Sequence, residues 1–202
     1  MSSRSDILAA LRRNKPPQSP LPDLTPRPEI PSGALEATFL QALELAGGRF
    51  FVSSPEHSVS QALAKAYPAE RVICSAMPAF VQGTVELHQI TDPHDLASVD
   101  LFVCRGTFGV AENAAIWVDE RQIGHRAAPF LAQHLAIVLN RQEIVPTMHE
   151  AYVRLSVAEP GFGVFIAGPS KTADIEQALV IGAHGPRSLT VVLMDENDTV
   201  RT

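Results

Sequence analysis

The stretch VDLFVCRGTFGVAENAAIWVDE, residues 99–120, decides the fold. Its first run, Leu101 to Cys104, is apolar at every position, as a strand reads when both faces of its sheet are covered. A glycine-bearing segment follows, and AAIWVDE (114–120) then reads as a further strand. Working outward, RFFVS (49–53), RVICS (71–75), LAIVLN (135–140), FGVFIAG (162–168) and SLTVVLMDE (188–196) carry the same signature. Amphipathic helical patterns fall between them at 33–48, 56–66, 147–158 and 172–183, the first closed by Gly47 and Gly48. Residues 77–98 read as a short helix, a short strand and a turn at Asp92-Pro93, and 125–134 as a loop or short helix. Strands alternating with helices of this length specify an α/β fold: a mostly parallel sheet with helices on both faces.

The amino-terminal end is built differently. SSRSDILAALRRN offers a serine cap, Asp6 in the first turn, an apolar stripe of Ile7, Leu8 and Leu11, and Arg12 and Arg13 where the helix dipole favours cations. Such a helix is too short to stand alone and calls for something to pack on. Seven prolines then fall between residues 16 and 31, which excludes helix and central strand and leaves an extended arm. The expected division is an amino-terminal helix and proline-rich arm over 1–31 and an α/β domain over 32–202.

A net charge of −6 argues against a nucleic-acid partner, because binding phosphate needs a basic face. No apolar run approaches the roughly 18 residues of a membrane span, and no signal-peptide core stands at the start. The expectation is a cytoplasmic protein. Two cysteines, Cys74 and Cys104, cannot supply the four or so thiolates of an iron–sulfur cluster. They read as reduced core thiols. The seven histidines contain no H-x-x-x-H pair, so no metal or cofactor is expected in this chain.

In an open parallel sheet, ligands sit beyond the carboxyl ends of the strands. That rule selects two segments. In RGTFGVAENAA (105–115), Gly106 and Gly109 allow close backbone approach, and Arg105, Thr107 and Asn113 offer polar contacts. Glu112 reads either as a base or nucleophile at the lip of the sheet or as an acceptor that holds the loop by binding backbone N–H groups. In GPSKTADIE (168–176), Ser170, Lys171, Thr172 and Asp174 read either as ligand contacts or as helix caps and first-turn acids. The two strands leading into these loops, ending at Cys104 and Ala167, are expected to run parallel and close, facing one cleft. His184 and Arg187, in GAHGPR (182–187), fall at the opposite, amino edge and read as structural or interfacial.

The runs FGVAENAAIWV (108–118) and GPSKTADIEQALVIGAHGPR (168–187) resemble the LutC/YkgG family of lactate-utilisation proteins, the LUD domain. Many relatives carry glycine where this chain has Ala114. The resemblance implies a fold similar to the NagB/RpiA/CoA-transferase group. It also implies work beside iron–sulfur subunits in oxidation of L-lactate to pyruvate, with the clusters held by those partners. Two functions follow as expectations. The first is a cluster-free accessory subunit binding a small carboxylate or a partner surface, with self-association left open. The alternative is a stand-alone isomerase or acyl-CoA-type transferase using Glu112.

Overall fold

The computed structural model describes residues 3–17, 19–20, 29–54, 57–155, 161–172 and 180–195. In chain order the elements are α1 (Ser3–Arg13), α2 (Leu35–Leu45), β1 (Arg49–Val52), α3 (Val59–Ala66), β2 (Ile73–Ser75), β3 (Leu101–Arg105), β4 (Phe108–Val110) and β5 (Ile116–Asp119). There follow α4 (Glu120–Ile123), α5 (Ala128–Leu131), β6 (His134–Asn140), β7 (Ile144–Val145), α6 (Met148–Arg154), β8 (Gly163–Ile166) and β9 (Ser188–Met194). Short 3-10 turns occupy Leu87–Gln89 and Pro93–Ser98, the second starting at the turn expected at Asp92-Pro93. The first turn after the proline-rich segment begins at Ser32.

Five strands form the main sheet in the order β1-β9-β6-β3-β2, every neighbouring pair parallel. Strand periodicity explains why the middles of β3, β6 and β9 are almost wholly apolar. Phe102, Cys104, Leu135, Ile137, Leu139, Leu189, Val191 and Leu193 pack on one face with Phe39 and Leu43 of α2. Leu101, Val103, Ala136, Val138, Val192 and Met194 pack on the other with Val59 and Leu63 of α3. Alternate residues of one strand enter opposite cores, so polar side chains fall at the strand ends, except Thr190, whose hydroxyl meets that of Tyr67. Ser58 starts α3 with a reciprocal cap, its hydroxyl accepting from the Gln61 N–H while the Gln61 side chain accepts from the Ser58 N–H.

A second sheet, ordered β7-β4-β5-β8, lies over the α2 face of the first. Here the structure departs from the sequence reading, which put the strands at 116–119 and 163–166 in one parallel sheet and left Phe108–Val110 in a loop. β4 and β5 are antiparallel, and so are β5 and β8. The reason is chain length. Residues 111–115 are too few for a parallel crossover, which needs about a dozen residues, so the chain must double back. The strands ending near Cys104 and Ala167 therefore lie in different sheets. α6 closes the outer face, where Phe108, Val110, Val145 and Ala151 are buried together.

The helix expected at 172–183 falls mainly on 173–179, outside the described residues. At its two ends, Lys171 and Ile181 pair as an antiparallel bridge instead. No helix among the described residues is long and apolar enough to cross a membrane.

Candidate functional site: two edges of the main sheet

At the carboxyl edge, the side chains of Glu112 and Asn113 are spent on the backbone. β7 follows the end of β6 and pairs with β4, which brings Pro146 and Met148 against the 111–115 turn. The Glu112 carboxylate accepts the Met148 N–H at 2.8 Å, a first-turn donor of α6 that has no partner within the helix. The Glu112 N–H donates to the Pro146 carbonyl. Asn113 accepts the Ala115 N–H at 3.0 Å, closing the turn. Ala114, fully buried, has φ of +55°, the left-handed region in which a Cβ is strained. A glycine would suit that backbone. Arg105 and Thr107 are exposed at the end of β3, Thr107 donating its N–H to the Trp117 carbonyl.

The second selected loop goes elsewhere. Because β8 runs antiparallel to β5, its end does not emerge with the carboxyl ends of the main sheet. Gly168 packs on the carbonyl of Ala46, just past α2, in a backbone conformation with φ of +76°. Lys171 passes beside Gly47, so its ammonium lies near the carbonyl-rich end of α2, where a cation is favoured. The Ser170 N–H donates to the Pro186 carbonyl, and its own carbonyl accepts from Gly182. Pro186 lies two residues before β9, so this loop sits at the amino edge of the main sheet, beside the His184–Arg187 turn. That turn is where the sequence placed it. What was wrong was the expectation that it lies apart from Ser170 and Lys171.

Together these segments line a concavity of about 280 Å³. Phe130, Phe165 and Leu189 are among its apolar lining residues, and Ser170, Lys171 and His184 among its polar ones. The volume suits a molecule of a few heavy atoms, below the span of typical drug-sized pockets. Thr172 faces its own partner strand, its hydroxyl donating to the Val180 carbonyl and accepting the Val180 N–H. Asp174 lies outside the described residues. The sequence missed His184 and Phe130 as wall residues. The signal was available in GAHGPR, whose glycine-proline turn permits close approach, Gly185 packing directly on Ser170.

Both cysteines are fully buried and free. Burial, aided by the charge of Glu86, pushes the Cys74 thiol up to about 11, and burial pushes Cys104 up to about 12. Neither is a thiolate at neutral pH, so neither is a ready nucleophile. Among the described residues, no three or more His, Cys, Asp or Glu side chains gather as metal ligands would.

A model of the LUD domain matches residues 60–194, most of the chain and both edges just described. The chain belongs to the LUD domain family. A lactate utilization protein C of Deinococcus radiodurans is 29% identical to this LUD protein over 185 residues, covering 86% of this chain and 87% of the relative. One from Bacillus pumilus is 34% identical over 95 residues, covering 44% of this chain. That match and one from Oceanobacillus iheyensis each span only 40% of the relative's length. Among solved structures, a DUF162 family protein of Deinococcus radiodurans superposes with a TM-score of 0.64 at 21% identity, covering 82% of this chain and 99% of that one. At that identity the likeness shows the LUD fold alone.

Proposed function

We propose that this protein is a cluster-free subunit of an iron–sulfur system oxidising L-lactate to pyruvate, and that it binds a small carboxylate in the amino-edge pocket. The observation that carries the lactate assignment is the match to proteins named lactate utilization protein C, which in one case runs over 86% of this chain. The pocket supports the ligand class. Lys171 offers the cation for a carboxylate, Ser170 and His184 offer hydrogen bonds, and Phe130 and Leu189 suit a methyl group. A subunit role is supported by α1, none of whose residues is buried: Ile7, Leu8 and Leu11 are 60%, 41% and 63% exposed. An apolar stripe at helical spacing, left uncovered, suits docking on an iron–sulfur partner. In this reading the electron carriers belong to the partners.

The alternative, a stand-alone isomerase or acyl-CoA-type transferase using Glu112, draws less support. A carboxylate accepting the Met148 N–H already has a structural role in holding the turn against α6.

Tagged full-length protein recovered from its native cells growing on L-lactate tests the reading. Iron and cysteine-rich proteins should come with it, and Leu11→Glu, on the exposed stripe, should release them without lowering the melting temperature. Recovery of the wild-type chain alone, with growth on lactate unaffected by its loss, would refute the proposal.

A further inference from the structure

The amino edge of the main sheet carries a second cluster on its α3 face, independent of the lactate reading. Ser188 opens β9 and His134 opens β6, side by side in register. The Ser188 hydroxyl lies 2.8 Å from His134 Nδ1. His134 Nε2 lies 3.3 Å from a Glu70 carboxylate oxygen, with the imidazole and carboxyl groups 22% and 18% exposed. The Arg49 guanidinium approaches the same hydroxyl at 3.4 Å and stacks over the Tyr67 ring. The Tyr67 hydroxyl bridges Ser188 at 3.1 Å and the buried Thr190 at 2.7 Å.

For a neutral imidazole, the Glu70 carboxylate at Nε2 and the Ser188 hydroxyl at Nδ1 select one tautomer. With the imidazole proton on Nε2, directed at Glu70, Nδ1 accepts the Ser188 proton. The hydroxyl's lone pairs are then left to Tyr67 and Arg49. A hydroxyl whose proton is held by an imidazole, which a carboxylate in turn orients, is the arrangement that makes serine a nucleophile.

We propose that Ser188, His134 and Glu70 form a reactive centre that takes acyl groups from small esters and hydrolyses them. Ser188 Oγ attacks the ester carbonyl carbon as its proton passes to His134 Nδ1. The carbonyl oxygen gathers negative charge beside Arg49. The carbon–oxygen bond to the alcohol breaks, the alcohol leaves with the proton from Nδ1, and an acyl-serine remains. Water then attacks that carbonyl, giving its proton to Nδ1. The carboxylic acid departs as Oγ recovers the proton. Partial burial of the imidazole and carboxylate restricts the substrate to short acyl groups.

Burial, the leading influence, draws His134 below the ordinary histidine value of 6.5; Arg49 and Arg187 act in the same direction, Glu70 and Asp100 against it. The imidazole is therefore the neutral base at physiological pH.

A fluorophosphonate probe applied to the folded full-length chain, with adduct mapping by mass spectrometry and hydrolysis of p-nitrophenyl acetate in parallel, tests the proposal. Ser188 should carry the label. Hydrolysis should rise with pH through a midpoint below 6.5. His134→Gln should slow labelling and hydrolysis by about 10²-fold or more, and Glu70→Gln should slow hydrolysis by about 10-fold. Ser188→Ala should abolish both, whereas Ser60→Ala, on the exposed side of α3, should change neither. Should Ser188→Ala fail to fold, the mapped adduct on the wild-type chain still decides. An unlabelled folded chain, an adduct on another residue, or rates unchanged in His134→Gln would overturn the proposal.

Discussion

The candidate site residues at the two edges of the main sheet meet different kinds of partner. At the carboxyl edge, Glu112, Asn113 and Asn140 each accept a backbone N–H, from Met148, Ala115 and Gln142. At the amino edge, Tyr67, Glu70, His134 and Ser188 meet one another, and Ser170, Lys171 and His184 stand around an open concavity. Side chains tied to backbone donors hold a shape, while side chains aimed at one another or at a cavity can exchange partners with a ligand. The rule that ligands gather at carboxyl ends rests on loops and helix starts converging there. In this chain the antiparallel β8 carries a selected loop to the other edge, and the rule misleads.

That contrast can be broken most forcefully at Gly168. A methyl group there would lie 2.5 Å from the Ala46 carbonyl oxygen, on a backbone with φ of +76°. Left-handed strain together with a clash against backbone should cost about 2–4 kcal/mol. Gly168→Ala should therefore lower the melting temperature by about 5–15 °C. An unchanged melting temperature would mean that the loop is not anchored on α2 as described.

Glu112 offers a middle-sized test of the opposite edge. Glu112→Ala strands the Met148 N–H and should cost about 1–3 kcal/mol. Glu112→Gln keeps an acceptor and should recover most of that loss, read by denaturant unfolding. If the folded Gln variant instead loses an activity of the wild-type protein by about 10²-fold, the carboxyl edge is catalytic after all.

The smallest effect belongs to Ala114. Substituting glycine relieves left-handed strain of about 1–2 kcal/mol, against roughly 0.8 kcal/mol for one lost buried methyl and added freedom in the unfolded chain. Ala114→Gly should leave stability within about 1 kcal/mol. A larger loss would show that the buried methyl matters more than the strained backbone.

The main sheet was legible because β3, β6 and β9 are apolar on both faces, a pattern surface strands lack. α1, α2 and α3 were legible from caps, stripes and closing glycines. The second sheet was not, since Phe108–Val110 and Ile144–Val145 are too short to show a period. Only the count of residues in the 111–115 turn pointed to an antiparallel return. The site suffered from the same gap. Ser170 and Lys171 were selected, but their neighbour His184 was assigned to a distant edge because β8 was placed in the parallel sheet. The Ser188–His134–Glu70 cluster joins residues up to 118 positions apart, Glu70 to Ser188, and no local motif could announce it.

In the proposed function, the amino-edge pocket, not the carboxyl-edge loop, receives the small carboxylate. Titrating the isotope-labelled full-length chain with L-lactate and recording its backbone amide spectrum tests this most directly. Saturable shifts are expected at Ser170, Lys171, His184 and Leu189, lost in Lys171→Met, with Thr107, Glu112 and Asn113 unmoved. Saturable shifts centred on Thr107, Glu112 and Asn113, with Ser170 and His184 unmoved, would contradict it.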